Sequence, residues 1–174
     1  MKTEVIYGNI VKQPDADAIV NSANANLRLG SGVAGAIHTA AGPELEEFCR
    51  PFAPLALGEA LLTPGFKLPN KWVIHVRSAH YLNDDEPESY MHLAIESMLK
   101  VAGDNHVRSI AMPAIGIGVF KFPVELAAQI TGNVLANAAI LAPDLAWVRL
   151  CVSSSALISV YQSAIESKQK GLAP

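Results

Sequence analysis

Cysteines and long apolar runs are scarce in this 174-residue chain. Its two cysteines, Cys49 and Cys151, are too few for a disulfide framework, so we expect both to be reduced packing residues in a helix and a strand. No apolar run approaches the ~20 residues that a membrane-spanning helix needs, and the N-terminal residues lack the apolar core of a signal peptide. The sequence therefore predicts a soluble, cytoplasmic protein with no membrane partner.

An excess of basic residues is also missing. The chain has 13 Lys and Arg against 16 Asp and Glu, which gives a net charge of −3. General nucleic-acid binding requires clustered cations, so we do not expect it. His80, His92 and His106 show no ligand spacing with cysteine or acid, and we expect neither a metal nor another cofactor.

What the chain does contain is a regular alternation of strand-like and helix-like segments. Several of the strands are unbroken apolar runs, as in a sheet covered on both faces. The pattern predicts one domain over 1–174, an α/β fold of three layers (α/β/α) around a central mixed, largely parallel sheet of about six strands. Strands are predicted at 4–8, 17–21, 58–63, 72–76, 107–112 and 147–152, helices at 32–41, 43–50, 88–102, 123–141 and 155–168, and a frayed tail at 168–174.

The most informative segment is Asn21 to Gly42, in which a short strand leads into asparagines, three glycines and a helix. The start of a helix offers unpaired main-chain N–H groups and the positive end of the dipole. Glycine allows the main chain to approach a ligand closely. This segment predicts a site for an anion, and a phosphate-bearing ligand is the first expectation.

A second glycine-rich loop, Ala111 to Pro123, also leaves a predicted strand and enters a predicted helix. Ligands of open α/β sheets bind outside the carboxyl ends of the strands. Two such loops at one edge could hold a diphosphate from both sides, and Phe120 could cover a ribose or a base.

The glycines at 30, 32 and 35 also satisfy the dinucleotide-binding fingerprint G-x-G-x-x-G, which raises the alternative of a nicotinamide-dependent dehydrogenase. Eight residues, Ser22 to Leu29, separate the strand from Gly30, whereas the fingerprint needs its first glycine directly after the strand. No acid for the ribose occurs around Arg50 to Pro54. The dehydrogenase interpretation is therefore disfavoured.

Taken in order, the motifs resemble those of the macro domain, the ADP-ribose-binding module of the Appr-1-p processing family. The family pattern runs from GDI through DAIVNAAN, GVDGAIH or GVAGAI and AAGPEL to a G-A-x-x-T strand, LP-x-x-VIH and a loop like GTGVFGFP. The resemblance covers about Val5 to Ser167. The matching segments are 8–10, 17–24, 32–38, 40–45, 58–63, 68–69, 73–75 and 116–123.

The resemblance implies a set of ligand-binding residues. The two glycine loops would wrap the diphosphate and distal ribose, the segment matching GDI would lie at the adenine, and Asn24 would face the distal ribose, where an amide can both donate and accept. Asn24 is also the tentative catalytic residue. The complete set is Asn9, Ile10, Asn24, Gly32, Val33, Gly35, Gly116, Ile117, Gly118, Val119 and Phe120.

Four departures from the family pattern bear on function. Asn9 replaces an aspartate that accepts from the adenine amino group, which removes charge assistance. Ala34 replaces the aspartate with which GVDG relatives orient or deprotonate water. Ser153 to Ser155 stand where many relatives place an aromatic residue against adenine, and Lys121 stands where relatives often have glycine, next to the diphosphate loop.

The implied ligands are ADP-ribose, its derivatives and ADP-ribosylated proteins. Hydrolysis of O-acetyl-ADP-ribose or of ADP-ribosyl groups stays open, by a substrate-assisted attack of water, because the usual acid is absent. The alternatives are a non-catalytic ADP-ribose reader, and a binder of another nucleotide or an RNA end on the same fold, which Asn9 and the serines keep open.

Overall fold

A six-stranded sheet runs through the centre of the chain, whose residues 1–171 are described by a computed structural model. The strands are β1 (Lys2–Tyr7), β2 (Ala18–Ser22), β3 (Ala60–Pro64), β4 (Trp72–Val76), β5 (Ser109–Pro113) and β6 (Trp147–Val152). Their order is β1-β6-β5-β2-β4-β3, and every neighbouring pair is parallel except β3 with β4. The predicted mixed, largely parallel sheet is confirmed.

Helices cover both faces of the sheet. The helices are α1 (Gly32–Ala41), α2 (Pro43–Cys49), α3 (Pro87–Asp104), α4 (Val124–Leu135), α5 (Ala138–Leu141) and α6 (Ala156–Lys170). The first two pack on one face over β2 and β3, and the other four form the opposite layer. The strands are apolar on both faces because Ile19 enters the core under α1 and α2, while Ala18 and Val20 enter the core under α3 to α6.

Most element bounds lie within two residues of the sequence prediction, and two helices differ from it in a way that has a structural reason. The predicted helix 123–141 is interrupted at Ala136 and Asn137. The main-chain N–H of Asn137 donates to the Val134 carbonyl, three residues back instead of the four of an α-helix, and the short α5 begins after it. Helix α6 continues through Lys170 instead of fraying from Lys168, and basic residues in a last turn favour this by their interaction with the helix dipole. The rest of the predicted frayed tail, 172–174, lies outside the described residues.

The segment between β1 and β2 is held against the sheet by side-chain hydrogen bonds. Arg149 on β6 bonds to Glu4 at 2.7 Å, to Asp15 at 2.7 Å and to Gln13 at 3.0 Å, and it holds the pKa of Asp15 below its usual value. Gln13 in turn donates to the Asn9 carbonyl at 2.9 Å. These bonds fix the residues that follow β1 at the carboxyl edge of the sheet.

Candidate functional site

A cavity of about 480 Å³ opens at the carboxyl ends of β1, β6, β5 and β2. It lies where ligands of open α/β sheets bind, and its volume suits a ligand of nucleotide size. Its lining residues are Gly8, Asn9, Ile10, Ser22, Ser31, Gly32, Val33, Ala36, Pro113, Ala114, Ile117, Gly118, Val119, Phe120, Cys151 and Ser153.

One wall is the start of α1. Gly32 has φ +58°, which a residue with a side chain adopts at a cost, and a Cβ there would have no heavy atom within 4 Å. The N-cap residue Ser31 makes no side-chain capping bond, and the first turn carries no acid. The first main-chain N–H groups of α1 therefore remain available to an anion.

The opposite wall is the loop after β5, which contains a 3-10 turn over Gly118–Phe120. Gly118 has φ +79°, and a Cβ there would again meet nothing within 4 Å. The loop is fixed from behind, since Tyr81 N–H donates to the Phe120 carbonyl at 2.8 Å and Phe122 N–H to the Gly116 carbonyl at 2.9 Å. The two predicted glycine loops thus line one cavity.

The end of the cavity at β1 and β6 is formed by Asn9, Ile10 and Ser153. The Asn9 side-chain oxygen accepts from the Val11 main-chain N–H at 3.1 Å, so part of its acceptor capacity is already used. Ser153 is exposed and offers no aromatic surface for stacking.

Three of the predicted residues do not line the cavity. Asn24 bonds both the nitrogen and the oxygen of its side-chain amide to the main chain of Arg28, donating to the carbonyl at 2.7 Å and accepting from the N–H at 3.0 Å. Gly35 lets the Gly30 carbonyl pack against α1, where a Cβ would collide with it. Gly116 has φ +88° and is covered by the Phe122 ring. The structure gives these residues roles in shaping the loops.

Charged side chains are absent from the cavity lining within residues 1–171. Lys121 and the loop acids Asp84, Asp85 and Glu86 are not part of it. Ala34 is only 5% exposed, lies close to Gly30 and is not among the lining residues. The cavity thus offers main-chain dipoles and small polar groups, with neither a general base nor a cation.

Several lining residues escaped the sequence prediction. Gly8, Ser22 and Cys151 reach the cavity because their strands end at its rim. Burial raises the pKa of the Cys151 thiol to about 11, so it is a neutral packing group at neutral pH. Alternation along a β-strand predicts only which face of the sheet a side chain takes. The position of these three residues at or near the end of a strand was the sequence signal that could have placed them at the cavity.

A buried polar cluster lies beneath α1. His75 is held between Asn21 and Thr63, each at 3.0 Å, as expected for a satisfied core histidine, and burial lowers its pKa to about 3, with His38 adding to the effect. His38 on α1 is 4% exposed, and neither of its ring nitrogens has a hydrogen-bond partner in the described chain. Burial lowers the His38 pKa, and Glu46 opposes this.

Comparison with known proteins gives consistent results. The family model described as Macro domain matches residues 20–131. A macro domain-containing protein of Mesorhizobium japonicum is 36% identical over 168 residues, which is 94% of this chain and 93% of that protein. The human ADP-ribose glycohydrolase MACROD2 is 39% identical over 133 residues, which is 75% of this chain and 31% of that longer protein.

Solved structures agree as well. The Oceanobacillus iheyensis macrodomain with ADP superimposes with a TM-score of 0.88 at 30% identity, covering 98% of this chain and 93% of that one. A mutant of the same macrodomain, solved with ADPR, gives a TM-score of 0.86 at 30% identity, with 95% of this chain and 92% of that chain covered. No helix in residues 1–171 combines the length and apolarity that crossing a bilayer requires. With its central sheet, its two glycine loops and these relatives, the chain belongs to the macro domain family.

Proposed function

We propose that this protein binds ADP-ribose with the diphosphate between the two glycine loops. The observation that carries the proposal is the pair Gly32 and Gly118, which face one cavity with positive φ and open space where a side chain would stand. The helix start beside Gly32 provides main-chain donors for phosphate oxygens. The similar macrodomain solved with ADP and, as a mutant, with ADPR supports the same ligand here.

The orientation of the ligand follows from the ends of the cavity. The adenine lies toward Asn9, Ile10 and Ser153, and the distal ribose lies toward the loop that Asn24 closes. Because the Asn9 side chain is already bonded to the main chain and Ser153 supplies no stacking surface, adenine contributes little to affinity. Base–aromatic stacking of the kind missing here is worth about 1–3 kcal/mol per base in single-strand nucleic-acid binders.

Calorimetric titration tests the binding proposal. ADP-ribose is compared with ADP, NAD and a short RNA under identical conditions. We expect saturable binding of ADP-ribose, weaker binding of ADP because it lacks the distal ribose, and no saturation by RNA. A preference for ADP or RNA over ADP-ribose would contradict the proposal and favour the alternative of another nucleotide ligand.

Hydrolysis of ADP-ribosyl or O-acetyl-ADP-ribose bonds is the second candidate function, and ADP-ribosylated proteins would then be substrates. It is favoured by the 39% identity to the human protein that is named an ADP-ribose glycohydrolase. With no acid lining the cavity, the attacking water would be held by the substrate phosphate and the main chain, a route that depends on positioning.

Asn24 acts in this scheme as a positioning residue, because its side chain closes the loop from Asn24 to Arg28. Release of acetate or ADP-ribose over time distinguishes an enzyme from a reader, which binds without turnover. We expect Asn24→Ala to raise KM for an ADP-ribosylated peptide more than it lowers kcat. If this variant turns over substrate like the wild type, Asn24 is not a positioning residue for hydrolysis.

The cytoplasm is the compartment in which we propose that the protein acts. Cys49 and Cys151 are buried and unpaired, which suits a reducing environment.

A further inference from the structure

A second cleft, of about 250 Å³, lies outside the cavity described above. Its lining residues are Asn26, Arg28, Glu46, Arg50, Ala53 and Pro54. They come from the loop after β2, from helix α2 and from the turn that follows it. We call this the arginine cleft.

Hydrogen bonds join the walls of the arginine cleft. Leu55 N–H donates to the Ala25 carbonyl at 2.8 Å, which ties the turn after α2 to the loop after β2. Arg77 then donates to the Leu55 carbonyl at 2.6 Å. The Asn24 amide closes the loop on Arg28 from within. The main chain that carries the cleft is therefore fixed before any ligand arrives, which lowers the entropic cost of binding.

The charge of the arginine cleft favours an anion. Neither Arg28 nor Arg50 forms an ion pair with a carboxylate in the described part of the chain. Glu46 is the one acid in the lining, and one of its oxygens accepts from the Leu29 amide at 3.2 Å. Arg50 follows the last turn of α2, where a cation stabilises the helix, but that role does not account for Arg28.

The cleft lies beyond the distal end of the proposed ligand. Along the carboxyl edge, the adenine end is at β1 and β6 and the diphosphate is between β5 and β2. Beyond β2 in the same direction come β4 and then β3. The turn after α2, which forms one wall of the cleft, leads into β3. The loop between β2 and α1 borders both spaces, since its residues Asn26 and Arg28 line the cleft and its last residue, Ser31, lines the cavity. A group attached to the distal ribose would therefore leave the cavity toward Arg28.

From this arrangement we infer that the arginine cleft binds acidic side chains of a polypeptide that carries the ADP-ribosyl group. This inference rests on the proposed binding of ADP-ribose. Guanidinium groups bind carboxylates through paired hydrogen bonds. The volume of the cleft suits one or two carboxylate side chains and is too small for a second nucleotide.

The test uses two synthetic peptides that carry one ADP-ribosyl group through a non-hydrolysable linkage. One peptide has glutamates on both sides of the modified residue, and the other has glutamines. Their affinities and that of free ADP-ribose are measured by calorimetry for the wild type and for Arg28→Gln with Arg50→Gln. The matched control is Lys168→Gln with Lys170→Gln, which removes two exposed cations near Thr3, at the opposite edge of the sheet.

We expect the wild type to bind the glutamate peptide about three- to tenfold more tightly than the glutamine peptide, the range for two partly exposed ion pairs. The arginine double variant should lose this preference and keep its affinity for ADP-ribose, while the lysine control keeps both. Equal affinity of the double variant and the wild type for the glutamate peptide would overturn the inference.

Two further results separate the possible failures. If the double variant loses affinity for an ADP-ribose dimer but keeps its preference for the glutamate peptide, the cleft binds phosphate of a second unit and the inference is wrong. If the wild type does not bind free ADP-ribose, the proposed function itself fails. Thermal melting of each variant confirms that these exposed substitutions leave the fold intact.

Discussion

At the scale of single residues, the missing side chain of Gly118 keeps the space between the two loops open. We predict that Gly118→Glu lowers ADP-ribose affinity by at least about tenfold, because its carboxylate would occupy the anion site and repel the diphosphate. The measurement is calorimetric titration, with circular dichroism to confirm the fold.

Gly118→Ala is the matched control for the backbone. Both variants pay the cost of a side chain at φ +79°, roughly 1–2 kcal/mol, but alanine brings no charge. Alanine should therefore lower stability as much as glutamate does and retain more of the binding. If both substitutions reduced affinity equally, loop conformation and not charge would explain the loss.

His38 and His75 predict a dependence of stability on pH. In the unfolded chain both histidines titrate near their ordinary pKa of about 6.5, whereas burial lowers both pKa values in the fold, that of His75 to about 3. As the pH falls below about 6.5, the unfolded state binds protons that the folded state does not, so stability falls. Glu46, which faces His38, reduces this effect in part.

We expect the free energy of unfolding, measured with urea, to decrease from pH 7 to pH 4.5. His38→Leu should reduce the slope by up to one proton, about 1.4 kcal/mol per pH unit, and should not lower stability at pH 7, because it removes two ring nitrogens without partners. An unchanged slope in the variant would show that His38 does not titrate between the two states.

Sequence patterns located most of the cavity but not the roles of every residue in it. Gly32 and Gly118 were predictable because strand, glycines and helix follow one another in the sequence. The packing of Gly35 against the Gly30 carbonyl and of Gly116 against Phe122 depends on contacts that spacing does not show. The ligand contacts assigned to Asn9, Ile10 and Asn24 stay predictions.

At the scale of elements, the contact between α4 and α6 depends on Gly132. A Cβ there would lie 2.7 Å from the Ala164 carbonyl oxygen, which is main chain and cannot turn aside. We predict that Gly132→Ala destabilises the protein by about 1–3 kcal/mol, although alanine favours a helix by about 1 kcal/mol over glycine.

The neighbouring exposed residue supplies the comparison. Asn133→Ala changes the same helix without a tertiary contact at its side chain and should raise or preserve the free energy of unfolding in urea. If Gly132→Ala were equally stable, the two helices could separate without cost, contrary to the packing described.

The elements themselves were largely predictable from the sequence. Unbroken apolar runs such as Ile110 to Met112 indicate strands covered on both faces, and all six strands were found. The break between α4 and α5 was not predicted, because the residues around Asn137 are compatible with a continuous helix. After the break α5 packs on α3, where Gly103 lets the Leu141 carbonyl approach closely, and this tertiary contact has no signal in the local sequence.

At the scale of the whole molecule, a net charge of −3 and a cavity without cations predict how binding responds to salt. Since no lysine or arginine of residues 1–171 lines the cavity, ADP-ribose affinity should change less than about threefold between 50 and 500 mM salt. Calorimetry at several salt concentrations measures this slope. A steep loss would indicate that a mobile cation such as Lys121 joins the bound diphosphate.

The proposed use of backbone amides by the two glycine loops has an evolutionary consequence. An anion site made of main-chain N–H groups does not depend on the identity of the side chains around it, as long as its few glycines are kept. Substitutions near Asn9 could then change which nucleobase is preferred, and substitutions near Arg28 could change which attached polypeptide is preferred. In both cases the binding of the diphosphate would be retained. The ligand specificity of this fold can thus be changed at either end of the cavity, by evolution or by engineering.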